Sequence, residues 1–123
     1  MPRTALLLIA HGSRRAEANA DLEHLADEVR RRGLYFFVQP AYLELAEPGI
    51  TAGAERCVNA GAEVVVLVPY FLSPGVHVTE DLTAVRADLA GRFPNVSVRL
   101  APPIGRHSLL ADIVIQRAGE AAD

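Results

Sequence analysis

Three side chains in this 123-residue sequence are spaced so that they could act together: His11, Glu44 and His77. Each follows an apolar run. His11 comes after residues 4–10, Glu44 after 35–41 and Tyr42-Leu43, and His77 after 64–68 and the stop Ser73-Pro74-Gly75. Two neutral imidazoles facing each other suit a first-row divalent ion such as cobalt, iron, nickel or zinc. A permanent structural zinc site normally has four protein ligands, and only two or three candidates are present here. Such a site would hold metal loosely, with open positions, which suits handing it on. Glu44 fits either of two parts, completing the metal site or accepting a proton. Nearby Glu47 reads as an ordinary solvated carboxylate.

Positive side chains flank the same region. Arg14 and Arg15 are expected in the first turn of a helix, facing the positive end of its dipole at a cost of about 0.3–1 kcal/mol each. Solvated side chains bent away account for them, Arg15 in particular. The functional reading is an anion site, with free helix N–H groups, Ser13 and Arg14 holding a carboxylate or phosphate. Arg106, ahead of the last helix, repeats the arrangement. His107 either caps that helix or lines the rim of the crevice. Arg30-Arg31-Arg32 fall at a helix C-terminus, where positive charge is stabilising, and His24 lies on a polar helix side. Neither needs a function. Gly12 stands alone after the first apolar run, so a dinucleotide or phosphate-binding loop is excluded.

The elements that must position these residues can be read from periodicity. Residues 4–10 and 64–68 are apolar on both faces and too short for helices, as expected of strands buried between helical layers. Residues 35–41 form a third strand. Residues 96–100 alternate apolar and polar and form a half-buried fourth. Helices are expected over 14–32, from Pro48-Gly49 to 60, over 78–92 and over 108–117, with Gly33 and Gly61 closing the first two. In this reading His77 sits in a loop, and Thr79, Glu80 and Asp81 occupy the first turn of the third helix. The order βαβαβαβα predicts one α/β domain across residues 1–123, a three-layer structure with helices on both faces of a parallel sheet. The fully apolar strands one and three belong in the centre. Gln39-Pro40 and the alternating strand four fit edges. Right-handed crossovers then give the flavodoxin-like order 2-1-3-4, with the topological switch point between strands one and three. His11 and His77 follow those two strands.

Composition removes several classes. Half the residues are hydrophobic and 22% charged, as in an ordinary globular protein. A net charge of -3 argues against nucleic acid as the main partner. The single cysteine, Cys57, excludes an intrachain disulfide and any cysteine-rich metal centre. Its helical spacing with Ile50, Ala54 and Val58 marks a small core residue. The early apolar run is too short to span a bilayer and lacks signal-peptide flanks, so no membrane partner is expected and the cytoplasm is the default address.

Four loops together resemble a known family. Leu8-Ile9-Ala10-His11-Gly12-Ser13-Arg14, Ala41-Tyr42-Leu43-Glu44 with Pro48, Pro69-Tyr70-Phe71-Leu72 through Gly75, His77 and Asp81, and Pro103-Ile104-Gly105 with His107 and Leu110 are similar to the class II tetrapyrrole chelatases, above all the small sirohydrochlorin chelatases. The likeness runs through nearly the whole chain, in order and spacing. It implies a chelatase fold, metal-binding histidines at His11 and His77, and an active-site acid at Glu44. The metal is then a substrate, Co2+ first with Fe2+ or Ni2+ open, and no organic cofactor is required. Sirohydrochlorin is the implied partner, and its carboxylates give Ser13, Arg14 and Arg106 a reason to be at the rim. Longer members of the family have two such domains with the active site between them, so the resemblance points to a homodimer. Two other readings stay open: a non-catalytic metal or tetrapyrrole carrier using the same crevice, and an interaction module with no ligand.

Overall fold

The two runs that are apolar on both faces lie in the middle of the sheet. The computed structural model describes residues 1–121. Its elements are β1 (Thr4–Ala10), α1 (Ala16–Arg31), β2 (Phe37–Tyr42), α2 (Ile50–Asn59), β3 (Val64–Pro69), α3 (Val76–Arg92), β4 (Ser97–Leu100) and α4 (Leu109–Glu120). All strands are parallel, in the order β2-β1-β3-β4 that the sequence predicts. Register brings the carboxyl ends level: Ala10 lies beside Tyr42, and Ile9 beside Pro69. Loops that leave these ends therefore share one edge of the sheet.

Alternation sorts the strand side chains into two apolar layers. Ala5, Leu7 and Ile9 of β1, with Val65 and Leu67 of β3, pack with Ala54 and Cys57 of α2 and Leu82 and Leu89 of α3. On the other face Leu6, Leu8, Val38 and Tyr42 meet Leu22 and Ala26 of α1. Helices thus cover both faces, as expected. The fourth helix differs, because none of its residues is buried. Among the described residues, no helix is long and apolar enough to cross a membrane.

Two helix starts differ from the periodic reading, each for a local reason. α1 begins at Ala16, so Arg14 and Arg15 precede its first turn. The Ser13 hydroxyl accepts the Arg15 N–H at 3.1 Å and keeps Arg15 extended, which delays the helix. α3 begins at Val76, earlier than expected, because Gly75 serves as its extended N-cap and the Gly75 carbonyl accepts the Thr79 N–H at 3.1 Å. His77 is therefore helical, and its first turn holds no acidic residue.

Cys57 is the core residue its spacing indicates. It is fully buried, and burial pushes its thiol up to about 12, only partly offset by a backbone hydrogen bond. It should be inert to Ellman's reagent at pH 8 in the native protein and release one full equivalent in denaturant. Rapid native reaction would contradict this packing. Because the folded-state value lies above the unfolded one, this thiol should cost stability as pH rises from about 9 towards 12, and nothing below that window.

Candidate functional site

Backbone hydrogen bonds tie the loops at the carboxyl edge together. The Leu43 N–H donates to the Ala10 carbonyl at 3.0 Å and the Glu44 N–H to the His11 carbonyl at 3.1 Å, joining the loops after β1 and β2. The Tyr70 N–H donates to Ile9 at 2.7 Å, joining β3 to β1. Ile104 and Gly105 donate to the carbonyls of Pro69 and Phe71 at 3.2 and 2.9 Å, joining the loops after β4 and β3. Two glycines allow the closest approaches. Gly12, at φ +98°, lies so near Glu44 that a Cβ would meet its carbonyl oxygen, and a Cβ on Gly105 would meet that of Leu72.

His11 and Glu44 come together on this framework, with Nε2 and Oε1 2.9 Å apart. Their side chains are 60% and 56% exposed, so the pair faces solvent rather than the core. Such a carboxylate can orient an imidazole, join it on a metal or take up a proton. His77 belongs to the same edge, reached from β3, but presents its side chain from the first turn of α3. Among the described residues no group of three or more His, Cys, Asp or Glu is close enough to hold a metal ion. The structure thus pairs His11 with Glu44 and does not gather all three candidates into a ready ligand set.

The candidate anion residues fare differently. Arg14 lines a cleft of about 290 Å³ with Ser13, Asn19 and Tyr42. Ser13 is already engaged: its N–H donates to Asn19 Oδ1 at 2.9 Å and its carbonyl accepts from Asn19 Nδ2 at 2.7 Å. A free Ser13 N–H for an anion is therefore absent. Arg106 is exposed at φ +63°, in the turn ahead of α4. His107 caps that helix, its Nδ1 accepting the Leu109 N–H at 3.1 Å.

Sequence reasoning missed two supports and an apolar rim. Asn19 clamps the His11-Gly12-Ser13 turn from α1, and its own carbonyl accepts the Tyr42 hydroxyl at 3.0 Å. Burial, with the Glu23 charge second, raises the Tyr42 pKa, which keeps that hydroxyl a donor. An asparagine six residues after a turn serine was the only available sign. Leu45, Tyr70, Leu72 and Val76 are exposed in or beside the same loops, and Tyr70 to Leu72 with Ile104 line a cleft of about 200 Å³. A larger groove, of about 590 Å³, runs beside α1 and reaches Tyr70.

A parallel sheet in this order, with a histidine–carboxylate pair joining the loops after β1 and β2 beside its switch point, defines a doubly wound α/β protein of the kind that takes ligands at the carboxyl edge. Within that class the chain belongs to the CbiX family, whose model matches residues 5–121. A sirohydrochlorin ferrochelatase named as chloroplastic, from Arabidopsis thaliana, is 40% identical over 112 residues, covering 91% of this chain and 50% of that protein. A putative cobalamin biosynthesis CbiX protein from Marinobacter aquaeolei VT8 has a crystal structure similar at TM-score 0.79 and 32% identity, covering 96% of this chain and 99% of that one. The sirohydrochlorin chelatase SirB of Bacillus subtilis subspecies spizizenii, solved in complex with cobalt, is similar at TM-score 0.87 and 28% identity, covering 98% of this chain and 51% of that one. The chain spans about half the length of the first two curated relatives it matches.

Proposed function

We propose that this chain is a sirohydrochlorin chelatase that inserts Co2+ or Fe2+, with Ni2+ a further candidate, in cobalamin or siroheme formation. The observation that carries the reading is the exposed His11–Glu44 pair at the carboxyl edge of a CbiX-family sheet. Insertion exchanges one divalent ion for two pyrrole N–H protons, so the site must deliver metal on one side and remove protons. In this proposal His11 and His77 hold the ion by one face and leave the other open to the ring. Glu44, beside His11, takes one of the two protons and passes it to water, to which it is exposed, and the other leaves to water directly. The apolar rim of Leu45, Tyr70 and Leu72 suits the flat face of a macrocycle. Arg14, which shares a cleft with Ser13, and Arg106 suit its carboxylates. Two copies would match the length of the SirB chain, which supports action as a homodimer.

The test is direct. Purified protein with sirohydrochlorin and Co2+, Fe2+ or Ni2+, assayed separately and without oxygen, should speed metal insertion at least about a hundredfold over the spontaneous rate for one of them, a modest acceleration for an enzyme. Absorbance of the metallated ring reports it. Tight binding of metal or tetrapyrrole with no acceleration would replace the enzyme by a carrier.

A further inference from the structure

The turn that presents His11 belongs to no helix or strand and has little of its own to hold it. Among the described residues, no main-chain group of Gly12, Ser13 or Arg14 bonds to any part of the protein except the Asn19 side chain. Asn19 supplies both ends of its amide. The Ser13 N–H donates to Oδ1 at 2.9 Å and Nδ2 donates to the Ser13 carbonyl at 2.7 Å, so the peptide planes on either side of Ser13 are fixed together. The same residue reaches the other half of the site. Its main-chain carbonyl accepts the Tyr42 hydroxyl at 3.0 Å, and Tyr42, only 2% exposed, ends β2 two residues before Glu44. One residue of α1 is thus bonded two positions after His11 and two positions before Glu44. Helix formation does not account for it. Asparagine is a weak helix former, and α1 starts from other bonds: the Arg15 carbonyl accepts from Ala18 at 3.1 Å, and the Ser13 hydroxyl accepts the Arg15 N–H at 3.1 Å. A residue at odds with its own element marks a requirement elsewhere.

We propose that Asn19 is a positioning residue of the site: it ties the backbones under His11 and Glu44 to one turn of α1, holds Nε2 and Oε1 at their 2.9 Å separation, and thereby sets the rate of metal insertion. Exposure is what makes such a strut necessary. The two side chains are 60% and 56% exposed, so no packed core fixes them, and their relative placement is inherited from the main chain that carries them. With the Asn19 amide gone, the turn at Gly12 and Ser13 keeps only the Glu44 N–H on the His11 carbonyl, a single bond about which the imidazole can swing. A misplacement of about 1 Å at reacting groups costs on the order of 10²-fold in rate. Asn19 acts through the backbone, so the loss falls on turnover. A direct contact with the tetrapyrrole would appear in KM instead.

This inference rests on the chelatase reading, and its test keeps the two apart. In Asn19→Ala, insertion of Co2+ into sirohydrochlorin should lose about 10–100-fold in kcat with KM for the tetrapyrrole within about twofold of native. Far-UV circular dichroism should be unchanged. A nuclear Overhauser contact between the His11 ring and the Glu44 methylenes, present in the native chain, should vanish in the variant, and this readout needs neither metal nor activity. Tyr42→Phe removes only the hydroxyl end of the strut and leaves the buried ring, so it should lower kcat by a smaller factor and weaken the same contact. A native kcat in Asn19→Ala would overturn the proposal, as would a persistent His11–Glu44 contact. A rise in KM alone would make Asn19 a substrate contact, and a rate loss matched by lost helix and sheet signal would make it purely structural; either result overturns the positioning role. If the native chain inserts no metal, the chelatase reading falls, and the His11–Glu44 contact still decides whether Asn19 sets the pair.

Discussion

Replacing His11 by alanine is expected to slow metal insertion into sirohydrochlorin by about 10²–10⁴-fold, the range typical of losing a positioned acid–base or ligand group, with little loss of stability. The two effects separate because different atoms carry them. The turn at His11 is held by its carbonyl, which accepts from Glu44, and by the Asn19 clamp on Ser13, none of which involves the imidazole. That ring is 60% exposed, so truncation leaves no core cavity, and a stability change within about 0.5 kcal/mol is expected. His77→Ala should lower the rate comparably. Glu44→Gln then decides between the two parts open to Glu44. If it takes a proton, the variant should bind Co2+ like the native protein in calorimetry yet insert it slowly. If it is a metal ligand, Co2+ affinity should fall in Glu44→Gln as it does in His11→Ala. Insertion at the native rate by both histidine variants would remove the proposed roles.

Much of this site was legible because it depends on topology. Apolar runs at residues 4–10 and 64–68 could only be central strands, and that alone puts the ends of β1 and β3 side by side. Glu44 could be assigned to the correct edge but not to His11, since the contact depends on the path of the loop after β2. That path rests on Gly12 meeting the Glu44 backbone, a through-space relation that no periodicity encodes. The start of α3 is not legible in the periodicity, because Val76 and His77 carry no capping signature, while Gly75 can serve as either loop or N-cap. Periodicity puts Arg14 inside a helix, but the competing bonds of Ser13 to Arg15 and Asn19, short-range choices made by side chains, keep it outside. The exposure of α4 could not be read at all. Leu109, Ile113 and Val114 look like any buried stripe, and only coordinates show that their own domain does not cover them.

One substitution type, made at two glycines, should have opposite consequences. Gly91→Ala falls in α3, where a new Cβ meets nothing within 4 Å, and should stabilise the protein by about 0.5–1 kcal/mol through improved helix propensity. Gly12→Ala places its Cβ against the Glu44 carbonyl and close to the Tyr42 Cβ, both parts of backbone or core that cannot swing away. Its φ of +98° is also one that alanine adopts only under strain. Overpacking and strain together should cost about 2–4 kcal/mol, lowering Tm by roughly 8–15 °C in a chain of this size. Relief comes only by pushing the loop after β2 away from the turn at His11, which breaks the 3.1 Å Glu44-to-His11 hydrogen bond and separates the 2.9 Å pair. Insertion should therefore be lost even well below the new Tm, where the rest of the sheet is intact. If Gly12→Ala kept the native rate at low temperature, the two loops would not need their contact, and Glu44 would act without His11 beside it.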